Sequence, residues 1–175
     1  MDGPTEIDET YLGGKEKNKH RSKRKNLGRG AIGKDIVLGA RSRSGKVVAK
    51  RAEKASKKVL GQFIHRHVPK GVALYTDDHK GYTGLGAEYR HEVVVHSVGE
   101  YVRNEAHTNG IESFWAMLKR GYYGVFHHFT WKHLDRYLAE FSFRWNLLGL
   151  SGSERLNALV SNSFNARFTY GGADQ

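Results

Sequence analysis

Apolar and polar residues alternate from Glu6 to Leu12, and the run stops at Gly13-Gly14. A period of two predicts a strand with a turn behind it. Asp35–Ala40 and Lys46–Arg51 read as a second and third strand. Arg41–Gly45 between them reads as the turn of a hairpin. Ser56 is placed to cap a helix through His67, with Val59, Leu60, Phe63 and Ile64 on one face. Pro69 to Gly71 closes it. Val72–Thr76 is a short continuous apolar run, the pattern of a buried central strand. It leads directly into Asp77-Asp78-His79-Lys80-Gly81-Tyr82. Glu92–Val95 reads as a fifth strand.

The remainder is helical in pattern. Ile111, Phe114, Trp115, Leu118 and Tyr122 share one face, and Leu134, Tyr137, Leu138, Phe141 and Trp145 another. Glu154–Phe164 reads as a last short helix. Three strands, a helix, two strands and then helices predict a mixed α/β sheet with five strands, not a doubly wound one. At 175 residues the chain has the length of one domain. That one domain, 1–175, contains a basic loop at 15–29 and a C-terminal helical part at 109–165.

Composition narrows the function classes. There is no cysteine, which excludes a disulfide framework, a cysteine zinc site and a thiol nucleophile. No stretch approaches the roughly 18 apolar residues of a membrane span. The N-terminus shows no signal-peptide pattern, so a cytoplasmic protein without a membrane partner is expected. The net charge is +11, and an anionic partner, nucleic acid first, follows. Much of that charge has one address: Lys15, Lys17, Lys19, Arg21, Lys23, Arg24, Lys25 and Arg29, with Glu16 the sole acid among them. So few apolar residues cannot offset the entropy of ordering, and an exposed mobile loop is expected. It is either a solvated charge run or a phosphate-contacting loop. Gly28-Arg29-Gly30-Ala31-Ile32-Gly33 matches G-x-G-x-x-G, but a strand before it and a helix after it are both missing from the pattern. A glycine hinge is the simpler reading.

Three acids stand where chemistry would need them. Asp8 lies within the first strand and Asp77 ends the short apolar strand. If the two strands are neighbours, the carboxylates converge at one edge of the sheet. Glu112 lies near the start of the next helix. Lys119 follows it by seven residues, close to two turns, on the same face. Oxygen donors from two strands and a helix suit Mg²⁺ or Mn²⁺. Two such ions would serve phosphodiester chemistry. Plainer readings stand beside this one. Either Asp8 or Glu9 would face solvent, Asp77-Asp78 is good turn chemistry, and Asn109-Gly110-Ile111-Glu112 resembles a capping box. His127, His128 and His133 are irregularly spaced and read as DNA contacts or buried hydrogen bonding. Trp115, Trp131 and Trp145 read as core, with Trp131 the candidate for exposure.

Taken together, the motifs resemble one family. They are Glu6–Lys15, Gly28–Lys34, Tyr75–Tyr82, His107–Trp115, Leu118–Gly121, Tyr123–His128, and His133–Tyr137 continuing to Phe143–Asn146. The chain resembles the catalytic domain of insertion-sequence transposases of the IS1595 family, ISXO2-like group, over residues 4 to 147. The resemblance implies an RNase H-like fold with a DDE-type site and two Mg²⁺ or Mn²⁺ ions. By position it makes Asp8 and Asp77 the two aspartates, and Glu112 or Asn109 the third ligand. Glu112 is favoured because an ionised carboxylate holds a dication better than a neutral amide. The resemblance also sets Lys119 on the DNA backbone near the cleavage point. Arg120 and the basic loop are expected to add DNA affinity.

The implied activity is DNA strand cleavage followed by strand transfer. The implied partners are transposon ends and target DNA, in a homo-oligomer on DNA, in a bacterial nucleoid. Rival readings are a truncated, non-catalytic DNA-binding relic and another RNase H-like nuclease. Transposases of this kind usually carry an upstream DNA-binding region. With Met1 almost directly before the first strand, that region is expected to be absent from this chain.

Overall fold

β1 (Thr5–Leu12) pairs on both sides, which makes it the centre of the molecule. The structure, a computed structural model, describes residues 1–14, 20–24, 33–94 and 107–164. Antiparallel β2 (Asp35–Ser42) flanks β1 on one side, and β3 (Val47–Ala52) extends the sheet beyond it. On the other side lie β4 (Ala73–Thr76) and β5 (Arg90–Val93), both parallel. The order is β3-β2-β1-β4-β5. The expected hairpin is β2–β3, turned through Gly45 at φ 99°, a backbone that glycine adopts without strain. The fifth strand is two residues earlier than the sequence pattern placed it. Arg90 and Glu92 are exposed on it, as edge positions allow.

Alternation along the strands sorts side chains to two cores. Ile7, Leu38, Ala40 and Leu74 pack against α1 (Lys57–His67) through Leu60, Phe63 and Ile64. Val37, Val47, Ala49 and Leu12 face the other way. There they meet α2 (Asn109–Gly121) through Ile111, Phe114, Trp115 and Leu118, and α3 (Leu134–Asn146) through Leu134 and Leu138. α1 starts at Ser56 as expected and stops at Val68, because a residue before proline is driven out of the helical region. α3 also seals the outer strand. The Asn146 side chain accepts from Val47 N (2.7 Å) and donates to Val47 O (3.1 Å), and Asp135 Oδ1 accepts from Arg51 N (3.1 Å). Those side chains satisfy edge groups that would otherwise invite another strand. α4 (Gly152–Phe164) ends the described chain and buries no residue. A mixed five-stranded sheet with helices on both faces is the RNase H-like arrangement.

The acidic positions of β1 depart from the solvated alternative. Glu6 is fully buried, and Glu9 is nearly so. A strand covered on both faces buries its polar positions as well as its apolar ones, so each acid must find partners.

Candidate active site

The middle of β1, the end of β4 and one face of α2 enclose a cleft of about 440 Å³, lined by Asp8, Glu9, Thr10, Asp77, Thr108, Glu112, Trp115, Ala116 and Lys119. Parallel pairing sets Thr5 opposite Leu74 and Glu6 opposite Tyr75. Carried two residues further, the same register brings Asp8 level with Asp77. The strand adjacency on which convergence of the two aspartates depends is therefore present.

The Asp8 side chain points toward α2 and accepts a hydrogen bond from the Trp115 indole N–H at 2.9 Å. Its carboxyl is raised to about 7, by burial first and then by the charges of Asp77 and Glu9, against the indole bond that lowers it. Gly39, opposite Asp8 on β2, makes room for the indole. A Cβ there would lie about 2.5 Å from the Trp115 ring. Trp115 is thus core, as the sequence pattern has it, and also a wall of the cleft.

Asp77 accepts from His79 N at 3.1 Å, a turn bond, so the turn reading and the cleft position hold together. Glu9 leans to the opposite sheet face. It accepts from the Tyr82 hydroxyl at 2.6 Å and lies 3.8 Å from His79 Nδ1. Burial raises its carboxyl, the Tyr82 bond opposes that, and Asp77 adds to it.

Glu112 enters from α2 and accepts from the Thr108 hydroxyl at 3.0 Å. The helix starts one residue earlier than a capping box at Asn109 requires. Thr108 is the N-cap residue, and its hydroxyl donates to Glu112 instead of accepting from a backbone N–H. Asn109 is the first helical residue. It is exposed and does not line the cleft. Lys119 shares the cleft face with Glu112, as the seven-residue spacing predicts, whereas Arg120 is exposed outside it.

One acid missed by sequence reasoning holds this helix in place. Glu6 accepts from Ile111 N at 2.7 Å, within the first turn of α2, where unpaired N–H groups favour an anion. Arg41 (3.3 Å) and Arg43 (3.0 Å) neutralise it, and His107 stands at 3.7 Å. A Cβ on Gly110 would strike the Arg41 guanidinium, so glycine admits this close approach. The signal in the sequence was the shared parity of Glu6 and Asp8. Both project from β1 toward α2.

Among the described residues, no three His, Asp or Glu side chains form a closed cluster around one point. The donors are instead spread around the cleft. They still fit hard dications. All are carboxylate oxygens, and Asp8 is raised by burial first and then by the neighbouring charges of Asp77 and Glu9, a crowding of negative charge that a cation would offset. His127 and His128 lie elsewhere, bonded through Nδ1 to Tyr123 O (3.0 Å) and the Tyr122 hydroxyl (3.3 Å). Of the basic loop, Arg21, Lys23 and Arg24 are described and exposed, around a single 3₁₀ turn. Lys15, Lys17, Lys19, Lys25 and Arg29 lie outside the described residues, as does most of the glycine motif. Trp131 is 38% exposed and stacks under Arg51 at 4.8 Å. No helix among the described residues is long and apolar enough to cross a membrane.

Comparison with known proteins adds two findings. A family model described as the ISXO2-like transposase domain matches residues 1–146. The chain is also similar to an uncharacterized protein in the transposable element ISH50 of Halobacterium salinarum. They are 28% identical over 175 residues, covering 93% of this chain and 59% of the relative. The chain thus spans well under two thirds of that relative's length.

Proposed function

The chain belongs to the ISXO2-like transposase family, and from that premise we propose that its cleft is a DDE-type site for DNA strand cleavage and strand transfer. The observation that carries this is the shared opening of Asp8, Asp77 and Glu112, with Lys119, onto one cleft. Asp8 and Asp77 would hold two Mg²⁺ or Mn²⁺ ions, with Glu112 as the third ligand. Donors spread around a cleft suit ions that keep water and substrate phosphate in their shells. Bound there, the ions would supply an activated oxygen nucleophile and stabilise the leaving oxygen.

The protein's own groups prepare that site. Trp115 fixes the Asp8 carboxylate by its indole N–H, and Thr108 orients Glu112. Tyr82 holds the Glu9 carboxylate, so Glu9 borders the cleft as a buried neighbour charge more than as a ligand. Lys119 is placed to meet a backbone phosphate beside the carboxylates. Arg120 and the cations from Lys15 to Lys25 add salt-dependent DNA affinity. Transposon ends and target DNA are the substrates on this reading, in an assembly of several copies within the bacterial nucleoid.

The test is Asp77→Asn. Cleavage of element-end DNA in Mg²⁺ or Mn²⁺ should vanish while DNA binding stays close to wild type. Full cleavage by the variant would refute the assignment. Transfer of a pre-cut 3′ end separates a transposase from a simple nuclease. Glu112→Gln against Asn109→Ala identifies the third ligand, and loss with the Asn109 change alone would replace Glu112.

A further inference from the structure

The face of α2 that walls the cleft continues past it. Thr108, Glu112, Ala116 and Lys119 line the cleft at helical spacing, and the next step of four reaches Tyr123. There the helix changes character. Tyr122–Phe126 is a π-helical turn, and it ends at His127 with φ 59°, the one non-glycine positive φ among the described residues. Both features cost backbone energy and tend to persist where function uses them.

The turn exposes what a core would normally hide. Tyr123 is 52% exposed, Val125 68% and Phe126 37%. It is nonetheless firmly built. Tyr122 is buried with its ring edge-on to Tyr123 at 4.9 Å, and Phe126 packs on Phe129 and Tyr137. The Tyr123 hydroxyl donates to Gly13 O at 3.1 Å, just past the end of the strand that carries Asp8. Lys119 and Arg120 precede the turn. Aromatic faces set among cations are the surface on which single-stranded nucleic acid stacks.

We propose that the Tyr122–Phe126 turn is a stacking platform for an unpaired base of the DNA strand whose backbone passes Lys119. The inference rests on DNA being the partner, and it adds a base-binding site to the cleft. Tyr123 supplies the ring, Val125 and Phe126 its apolar border, and Lys119 the phosphate contact. Four helical residues rise about 6 Å, so one nucleotide can hold its phosphate at Lys119 and its base on Tyr123. A paired base is already stacked within its duplex and has no face to offer, so the platform selects melted or single-stranded DNA.

The test measures binding without metal, using a labelled twelve-residue oligo(dT) and a duplex of equal length. Tyr123→Ala should weaken oligo(dT) binding about tenfold to a hundredfold, the range for losing one base–aromatic stack. Duplex binding should stay within about twofold, because no phosphate contact is removed. Tyr123→Phe should bind oligo(dT) like wild type, since the ring remains although the bond to Gly13 is lost. Unchanged oligo(dT) binding by Tyr123→Ala overturns the proposal. So does an equal loss on both probes, or a Phe variant as weak as the Ala variant. If Tyr123→Ala misfolds, wild type and Tyr123→Phe are compared on a single strand carrying 2-aminopurine. Emission quenched by both supports the platform, and emission unchanged by wild type overturns it. Because no metal is present, the result is independent of the Asp77→Asn experiment. A failed platform with intact cleavage removes only the platform, and a working platform without cleavage removes only the catalytic reading.

Discussion

α2 and α4 are each thirteen residues long, and both carry an apolar stripe, yet only one has a place in the core. α2 buries Ile111, Phe114, Trp115 and Leu118. α4 buries nothing, and its Leu156, Leu159, Val160 and Phe164 are all at least 43% exposed. Their first turns differ in the same sense. α2 is anchored across the sheet by buried Glu6. α4 is tied locally, by Ser151 to Glu154 and by Arg155 to the carbonyls of Leu147, Leu148 and Leu150. Helices of this length have little intrinsic stability in water. What α2 gains from a long-range anchor and a sheet to lie on, α4 does not gain among the described residues. The family match also ends at Asn146, before α4 begins. Amphipathic spacing therefore establishes that a helix forms, and a partner of matching shape decides whether it carries a site.

The contrast can be broken most forcefully at Glu6. Glu6→Ala removes the acceptor of Ile111 N and leaves Arg41 and Arg43 without their counter-charge. Removing one partner of a buried ion pair costs about 3–5 kcal/mol. The lower end applies, since the two arginine side chains are 20% and 26% exposed. Urea unfolding should show that loss, and a variant of wild-type stability would mean that α2 needs no such anchor. Leu118→Ala should cost about 2–5 kcal/mol by leaving a cavity under α2, read from the same denaturation midpoint.

A smaller global effect with a larger local one is expected at Gly39. Gly39→Ala pushes against the Trp115 ring and should cost about 1–3 kcal/mol as overpacking. It should also slow cleavage by more than the stability loss accounts for, because Trp115 can no longer hold Asp8. Equal cleavage by folded variant and wild type would separate Trp115 from the site. The smallest effect belongs to α4. Leu156→Ala in dilute protein should stay within about 0.5 kcal/mol, as exposed positions do. A cost matching that of Leu118→Ala would mean that α4 is covered in solution.

Much of this was legible from local pattern. The five strands, the β2–β3 hairpin, the start of α1 and the core stripes of α2 and α3 follow from alternation or short apolar runs, from turn and cap residues, and from a period of about 3.6. So do the common face of Glu112 and Lys119, the place of Asp8 on a strand and that of Asp77 just past the end of one. Residue spacing encodes these directly, because each depends only on neighbours along the chain. Glu6, Glu9 and the second role of Trp115 were not legible in this way. An acid on a strand reads the same whether water, an arginine pair or a tyrosine hydroxyl receives it. The partners of Glu6 and Glu9 lie 35 to 105 residues away, and only the packed sheet brings them within hydrogen-bond reach.

The sequence by itself determined which elements form and which carboxylates they carry, since hydrophobic period and backbone preference are local. The tertiary structure decided which acids meet in a cleft and which are neutralised in the core. It also decided which of two equal-length amphipathic helices is buried. Desolvation and charge pairing act on distances in space, and spacing along the chain does not contain them.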